Sequence, residues 1–547
     1  MLLQDRGNAD GGAATVNAAL LGPLVAAVLV AAIARHRRLS APLVLVITGL
    51  LVGLIPAVPE IVLRPELVLF VILPPLLWSA GLESSVISMR RNRRGIILLA
   101  VGLPLATTVA VGVVAYYTVP ELTLAAALTL GAIVAPPDAV SATAVGRRVG
   151  LPRPIMTLLG GESLLNDATA LTVYKVSLAA AIGVATGWGT GLLTFALAAV
   201  GGVAVGVAFG AVIVVIRARL TDPVVESAVG LLAPFVIYLA AEEIHGSGVL
   251  AVVVAALILG QRFTRAHYAT RLQDQAVWRA VQLVLESLAF LLIGLQLPAV
   301  VANLHGVRFS TLIVASLAVF GTLLAVRAVW VVTFAYAPRI LSEKVRQREA
   351  APTPGQVFVL AWAGMRGVVS LAAAFGVPRT TLSGEPFPGR PQLVFLTFVV
   401  VVGTLLLHGL TLPWVIRRLG VPTNQDHADA IAAAAAQDKA ALAAAQRLDE
   451  VLASTEPSPA SERAADALRG LNTRRRNAAR ERLRRFDPAH DDSDETTAAA
   501  FRRLRLEMLA AERAALIHER DIGRIDDQVL RAVLHRLDLE EATLNLD

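Results

Sequence analysis

Thirteen apolar stretches divide the first 420 residues, most of them near the twenty or so residues that a helix needs to cross a bilayer's hydrocarbon core. They run Val16–Ala34, Ala41–Ala57, Leu63–Gly81, Gly95–Val119, Leu122–Gly146, Ile155–Val184, Gly191–Ile216, Val224–Ile244, Val249–Phe263, Ala276–Leu297, Thr311–Ala337, Val357–Val377 and Leu393–Ile416. The pattern predicts an all-α polytopic membrane protein of about 13 spans over residues 1–420. A water-exposed helical tail is predicted over residues 421–547. The tail reads as an Ala-rich helix through Ser454, a hinge at TEPSPASE, a basic helix around Asn472–Phe486, an acidic turn DDSDE, and a last helical segment Thr496–Leu546.

Lys and Arg gather on the cytoplasmic side of membrane proteins. Here they follow every odd-numbered span: Arg35, Arg37 and Arg38 after the first, Arg90, Arg91, Arg93 and Arg94 after the third, Arg147, Arg148 and Arg153 after the fifth. Arg217 and Arg219, then Arg262, Arg265 and Arg271, then Arg339, Lys344, Arg346 and Arg348, and finally Arg417 and Arg418 continue the alternation. The even exits carry only scattered charge, so the N-terminus is expected outside and the C-terminus in the cytoplasm.

Composition agrees. Of 547 residues 56% are hydrophobic and 17% charged, against roughly 25% charged in soluble proteins. The net charge of +7 is spent in short loops between spans, which argues against nucleic-acid binding. Cysteine is absent, which removes disulfides, thiolate metal sites and Cys nucleophiles. No HExxH or His/Asp cluster suggests an enzyme, and no resident cofactor is expected. Without a basic start or a clear cleavage site, no cleaved signal is expected at the N-terminus.

Ionisable groups inside spans are costly and by default mark an ion or proton path. The inventory is Glu83, Asp138, Glu162, Asp167, Lys175, Glu286, Arg327 and Arg366. Span five, LTLGAIVAPPDAVSATAVG, carries Pro136 and Pro137, which remove two donors and should break the helix just before Asp138. Transporters coordinate cations at such breaks. Span six, GESLLNDATALTVYK, places Ser163 and Asp167 on one face and Glu162 with Asn166 on another. Ser163 and Asp167 are expected toward the cation, Glu162 toward a neutralising partner. In span twelve, VFVLAWAGMRGVVSLAAAF, Gly364 and Gly367 loosen the helix about Arg366, the expected partner of Glu162. Two interrupted helices in matching places suggest inverted repeats that cross at the site. Glu83 reads as either a gate or an interfacial group. Glu286, Arg327 and Lys175 are expected as structural partners, and His408 as a hydrogen-bonded helix contact.

GESLLNDA, the preceding proline-aspartate break and WAGMRGVVSLA resemble the monovalent cation/proton antiporter-1 family, bacterial sodium/proton antiporters with a long hydrophilic tail. The resemblance implies a homodimer with dimerisation and core subdomains, and an elevator-like movement of the core. It implies that Asp167 binds the cation and the proton, that Asp138, Ser163 and the Pro137 carbonyl help hold sodium, and that Glu83 is a further contact. It also implies a structural ion pair between Glu162 and Arg366. Asn166, where electrogenic relatives have a second Asp, resembles electroneutral exchangers. Pro137 departs from the family, which commonly has Thr or Ser there, and this opens the choice between sodium, lithium and potassium. The function expected is sodium/proton antiport at a cell membrane, with a potassium/proton antiporter of the same fold or a cation channel as alternatives. The transported ions, protons, membrane lipid and a second copy of the chain are the expected partners.

Overall fold

Prolines set where the membrane helices begin, widen and stop. The computed structural model describes residues 22–37, 39–56, 68–138, 143, 146, 150–184, 188–262, 266–304, 308–341, 343, 352–420, 425–454, 458–484, 497–522, 524 and 527–546. Each of the thirteen expected spans carries a helix. They are α1 Gly22–His36, α2 Ala41–Gly53, α3 Val68–Glu83, α4 Arg93–Thr118, α5 Leu124–Val134, α6 Arg153–Ala181 and α7 Trp188–Arg219. Then come α8 Pro223–Glu243, α9 Gly248–Arg262, α10 Tyr268–Ala302, α11 Phe309–Leu341, the pair α12 Pro354–Trp362 and α13 Val368–Phe375, and α14 Arg390–Arg418. Proline stands in the first turn of α2, α6, α8, α12 and α14, where the missing N–H would be unpaired anyway. In α3 and α4, π turns at Val68–Ile72 and Leu98–Gly102 precede Pro74 and Pro104. The ring pushes on the carbonyl one turn back and that turn widens.

Among the described residues six helices are long and apolar enough to cross a membrane, and five more are shorter and apolar. Side chains such as Leu197 and Val200 on α7 point outward, an arrangement that lipid stabilises and water would not. The spans form two bundles. In the first, α2 lies along α10 and α9 packs on α3, α7 and α8; in the second, α5 packs on α4 and α6, and α11 on α4, α12 and α14. The seam between α2 and α10 is backbone against backbone. A Cβ on Gly294 would meet the Val46 carbonyl, and one on Gly49 the Leu291 carbonyl. Gly294→Val is therefore expected to cost about 1–3 kcal/mol by overpacking and to lower the melting temperature in detergent. Gly321→Val on α11, with open space around it, should leave that temperature unchanged.

Residues 423–547 form a separate compact unit from residues 1–422. Its first hairpin pairs α15 Gln425–Ala453 with α16 Pro459–Arg484, through Arg469–Asp449 at 2.9 Å, Arg476–Asp438 at 2.8 Å and an Asn472 amide donating to the Ala441 carbonyl at 2.8 Å. The described part of the basic segment expected at Asn472–Phe486, residues 472–484, is the second half of α16 rather than a helix of its own, because Pro459 already starts the helix. The single segment expected over Thr496–Leu546 is a second hairpin, α17 Thr497–Asp521 with α18 Asp527–Leu546. Arg505–Glu540 at 2.7 Å and Arg513–Asp538 at 2.6 Å join its arms across the turn. The Arg505 guanidinium, hydrogen-bonded to Glu540, holds that carboxyl below its usual range. The DDSDE turn lies outside the described residues.

Candidate ion-binding site

The break expected before Asp138 is where two interrupted helices exchange hydrogen bonds. In an unbroken α5, the Asp138 N–H would return to the Val134 carbonyl. With Pro136 and Pro137 ending the helix at Val134, it donates instead to the Met365 carbonyl, at 2.7 Å, between α12 and α13. The Val134 carbonyl is thereby released, and the Arg366 Nε donates to it at 2.8 Å. The exchange locks the two breaks together, and Gly367 lets it close: a Cβ there would lie 2.7 Å from the Asp138 Cβ. The second half of span five, from Ala139 to Gly146, lies outside the described residues save Thr143 and Gly146.

Beside this crossing lies a cavity of about 850 Å³ between the two bundles. Pro137, Asp138, Ser163 and Asp167 line it from the second bundle, Glu83 and Glu286 from the first. Along α6 the lining runs from Arg153 to Asp167, a depth of about 20 Å at 1.5 Å per residue. The cavity thus opens at the basic end of α6 and ends at Asp167, which is only 7% exposed. Asp167 and Asp138 are close enough for their charges to interact. Asp167 makes no hydrogen bond or ion pair with any described residue. Asn166, one residue earlier, faces away from the cavity and donates to the Pro137 carbonyl at 3.1 Å, tying α6 to the broken helix.

The partner of Glu162 differs from the one expected. Arg327 of α11 grips it with both arms, Nη1 to Oε1 at 2.5 Å and Nη2 to Oε2 at 3.0 Å, both side chains buried. Arg366 is turned toward backbone: besides Val134, its Nη1 donates to the Gly364 carbonyl at 2.6 Å, and its own N–H donates to the Thr404 hydroxyl. The broken helices leave carbonyls that need a donor, and Arg366 supplies it. His408, expected to be hydrogen-bonded, makes no hydrogen bond among the described residues and meets the Trp362 ring edge-on. Lys175 pairs with Glu242, at 2.8 Å. A network absent from the sequence expectations joins Arg217 to Glu226 at 2.9 Å and to Asp274 at 2.6 Å, with Thr270 and Ser227 donating to the remaining oxygens. All three charged groups sit near span ends, where the pattern reads as loop charge.

The family model for the sodium/hydrogen exchanger, transmembrane, matches residues 24–418. An uncharacterized Na(+)/H(+) exchanger of Mycobacterium tuberculosis is 35% identical over 536 residues, 95% of each chain. A sodium, potassium, lithium and rubidium/H(+) antiporter of Bacillus pumilus is 33% identical over 383 residues, covering 68% of this chain and 57% of that one. Among solved structures, the sodium proton antiporter MjNhaP1 from Methanocaldococcus jannaschii matches with a TM-score of 0.59 at 20% identity, over 74% of this chain and 98% of that one. It shares the fold.

Proposed function

We propose, from the premise that this chain belongs to the sodium/hydrogen exchanger family and is a cation/proton antiporter, that it trades one sodium ion for one proton at Asp167. The observation that carries the assignment is the buried carboxylate at the cavity floor that no arginine pairs. Glu162, Glu226 and Asp274, the other buried acids, each have a guanidinium, whereas Asp167 has none. A bare charge there is costly, so the group is stable only with a proton or a cation on it. One site then takes either ligand and never both, and exposing it alternately to the two sides couples their flows. Asp138 and Ser163 complete the cation's shell, and the Pro137 carbonyl, which keeps a second lone pair beside its hydrogen bond from Asn166, is a further ligand. No resident cofactor takes part.

With Asn166 beside it, Asp167 is the one titrating group at this level of α6, which supports electroneutral exchange. The positive-inside pattern supports a cavity that opens to the cytoplasm. The second bundle, which carries the ion site, moves against the first, and the first meets its counterpart in a homodimer. A second reading is potassium/proton exchange: Pro137 offers no hydroxyl, and the Bacillus pumilus relative's name includes potassium. Everted vesicles holding an imposed pH gradient decide between these. Sodium and lithium are expected to dissipate the gradient and potassium to leave it. Dissipation by potassium alone would reassign the cation, and cation entry without proton counterflow would make the protein a channel.

A further inference from the structure

The acids of the cavity stand on both walls, and those of the first bundle have no part in the exchange just described. Glu286 of α10 is half-buried and lines the cavity one helical turn beyond Gln282. Unlike the other acids of the first bundle's interior, it makes no hydrogen bond or ion pair with any described residue. Arg35, Glu83 and Asp138 line the same cavity. Gln282, its neighbour on the same face, is already committed to the Ser79 hydroxyl at 2.7 Å. Across the cavity, Ser370 of α13 is 2% exposed and its hydroxyl has no hydrogen-bond partner among the described residues. A buried hydroxyl without a partner costs about 1–3 kcal/mol. Glu286 therefore presents to the cavity a carboxylate that the described polypeptide leaves unpaired, facing the wall that carries Asp138 and Asp167.

We infer that Glu286 is a second cation-attracting carboxylate, fixed on the first bundle, which receives the ion on its way to Asp138 and Asp167. This rests on the antiport reading and adds a direction to it. Asp138 and Asp167 ride on one bundle and Glu286 on the other, so Glu286 strengthens cation binding only while the cavity lies open between them. Apparent affinity is then higher from the side to which the cavity opens. Arg35, at the same mouth, opposes Glu286 and sets how strongly the mouth attracts cations.

The test measures sodium dependence of exchange from each side, in proteoliposomes of one orientation. A unit charge acting over roughly 10 Å at an effective dielectric constant of about 20 changes ion affinity by about tenfold. Glu286→Gln is expected to raise the apparent sodium KM by about that factor from the cavity side, with little change from the other. Arg35→Gln, at a more exposed and better screened position, is expected to lower it about threefold from the same side. Glu286→Asp, which keeps the charge, should stay near the parent. The opposite signs separate this role from a structural Arg35–Glu286 pair, whose loss would depress exchange in both variants. Equal KM values in all proteins, or a loss shared equally by both sides, would overturn the inference. Exchange that survives Asp167→Asn would instead remove the antiport reading beneath it.

Discussion

Sodium-driven proton movement falls to the level of empty vesicles in Asp167→Asn, while the protein inserts normally and its melting temperature stays the same or rises. The two halves of that result have one cause. Asn has the shape of Asp but can neither shed a proton nor neutralise a cation, so the competition that couples the two flows disappears. Asp167 spends no hydrogen bond on the described polypeptide, so the fold loses nothing when its charge is removed. A buried unpaired charge is a burden on stability, and its removal relieves that burden. A structural carboxylate would behave in the opposite way, losing stability together with activity. Vesicle assays with acridine-type pH probes and thermal melts of the same preparations read the two halves side by side. Robust exchange by the variant would sink the assignment.

How much of this was legible depended on whether one residue or a pair carried the signal. Spans announce themselves because a bilayer demands about twenty apolar residues, and each of the thirteen apolar runs carries a helix, the twelfth a broken pair. The break at Pro136 and Pro137 was equally plain, since proline acts on its own backbone whatever surrounds it. Ser163 and Asp167 followed from helical spacing alone, and both line the cavity.

Pairings were less legible. Glu162 and its partner are 165 residues apart, and two interior arginines were available. The glycines about Arg366 pointed to the wrong one. They mark close packing: a Cβ on Gly364 would meet the Arg327 side chain at 2.6 Å, and one on Gly367 would meet Asp138. Arg366 serves the carbonyls that the breaks set free, and no sequence pattern reports which carbonyl a distant helix leaves unpaired. Arg217, Glu226 and Asp274 illustrate a second limit. Each lies near a helix end, where charge is ordinarily solvated, and only the packing of α7, α8 and α10 brings them into one buried cluster. Glu286 reverses an expectation outright. An acid in a span was expected to find a structural partner, and it faces a cavity instead.

The revised ion pair makes the second large prediction. Arg327→Gln leaves Glu162, 1% exposed, as a buried charge without a counter-ion, and breaking one side of such a pair costs about 3–5 kcal/mol. The loss reaches further than the pair, because the same Arg327 Nη2 also approaches the Leu360 and Ala363 carbonyls at 3.2 and 3.4 Å, where α12 ends. The variant is expected to accumulate poorly in the membrane and to melt well below the parent. Removing both charges together, as Glu162→Gln with Arg327→Gln, should restore part of what either change alone removes, since no bare charge remains. A double-mutant cycle reads the coupling directly. Glu162 with Arg327 should couple by about 2–3 kcal/mol, and Glu162 with Arg366 more weakly, because Arg366 spends its hydrogen bonds on the Val134 and Gly364 carbonyls and shares none with Glu162. The reverse order would return Glu162 to Arg366. Exchange activity supplies a separate check: where the doubly neutral protein folds, its Asp167 is intact, and sodium/proton exchange should persist.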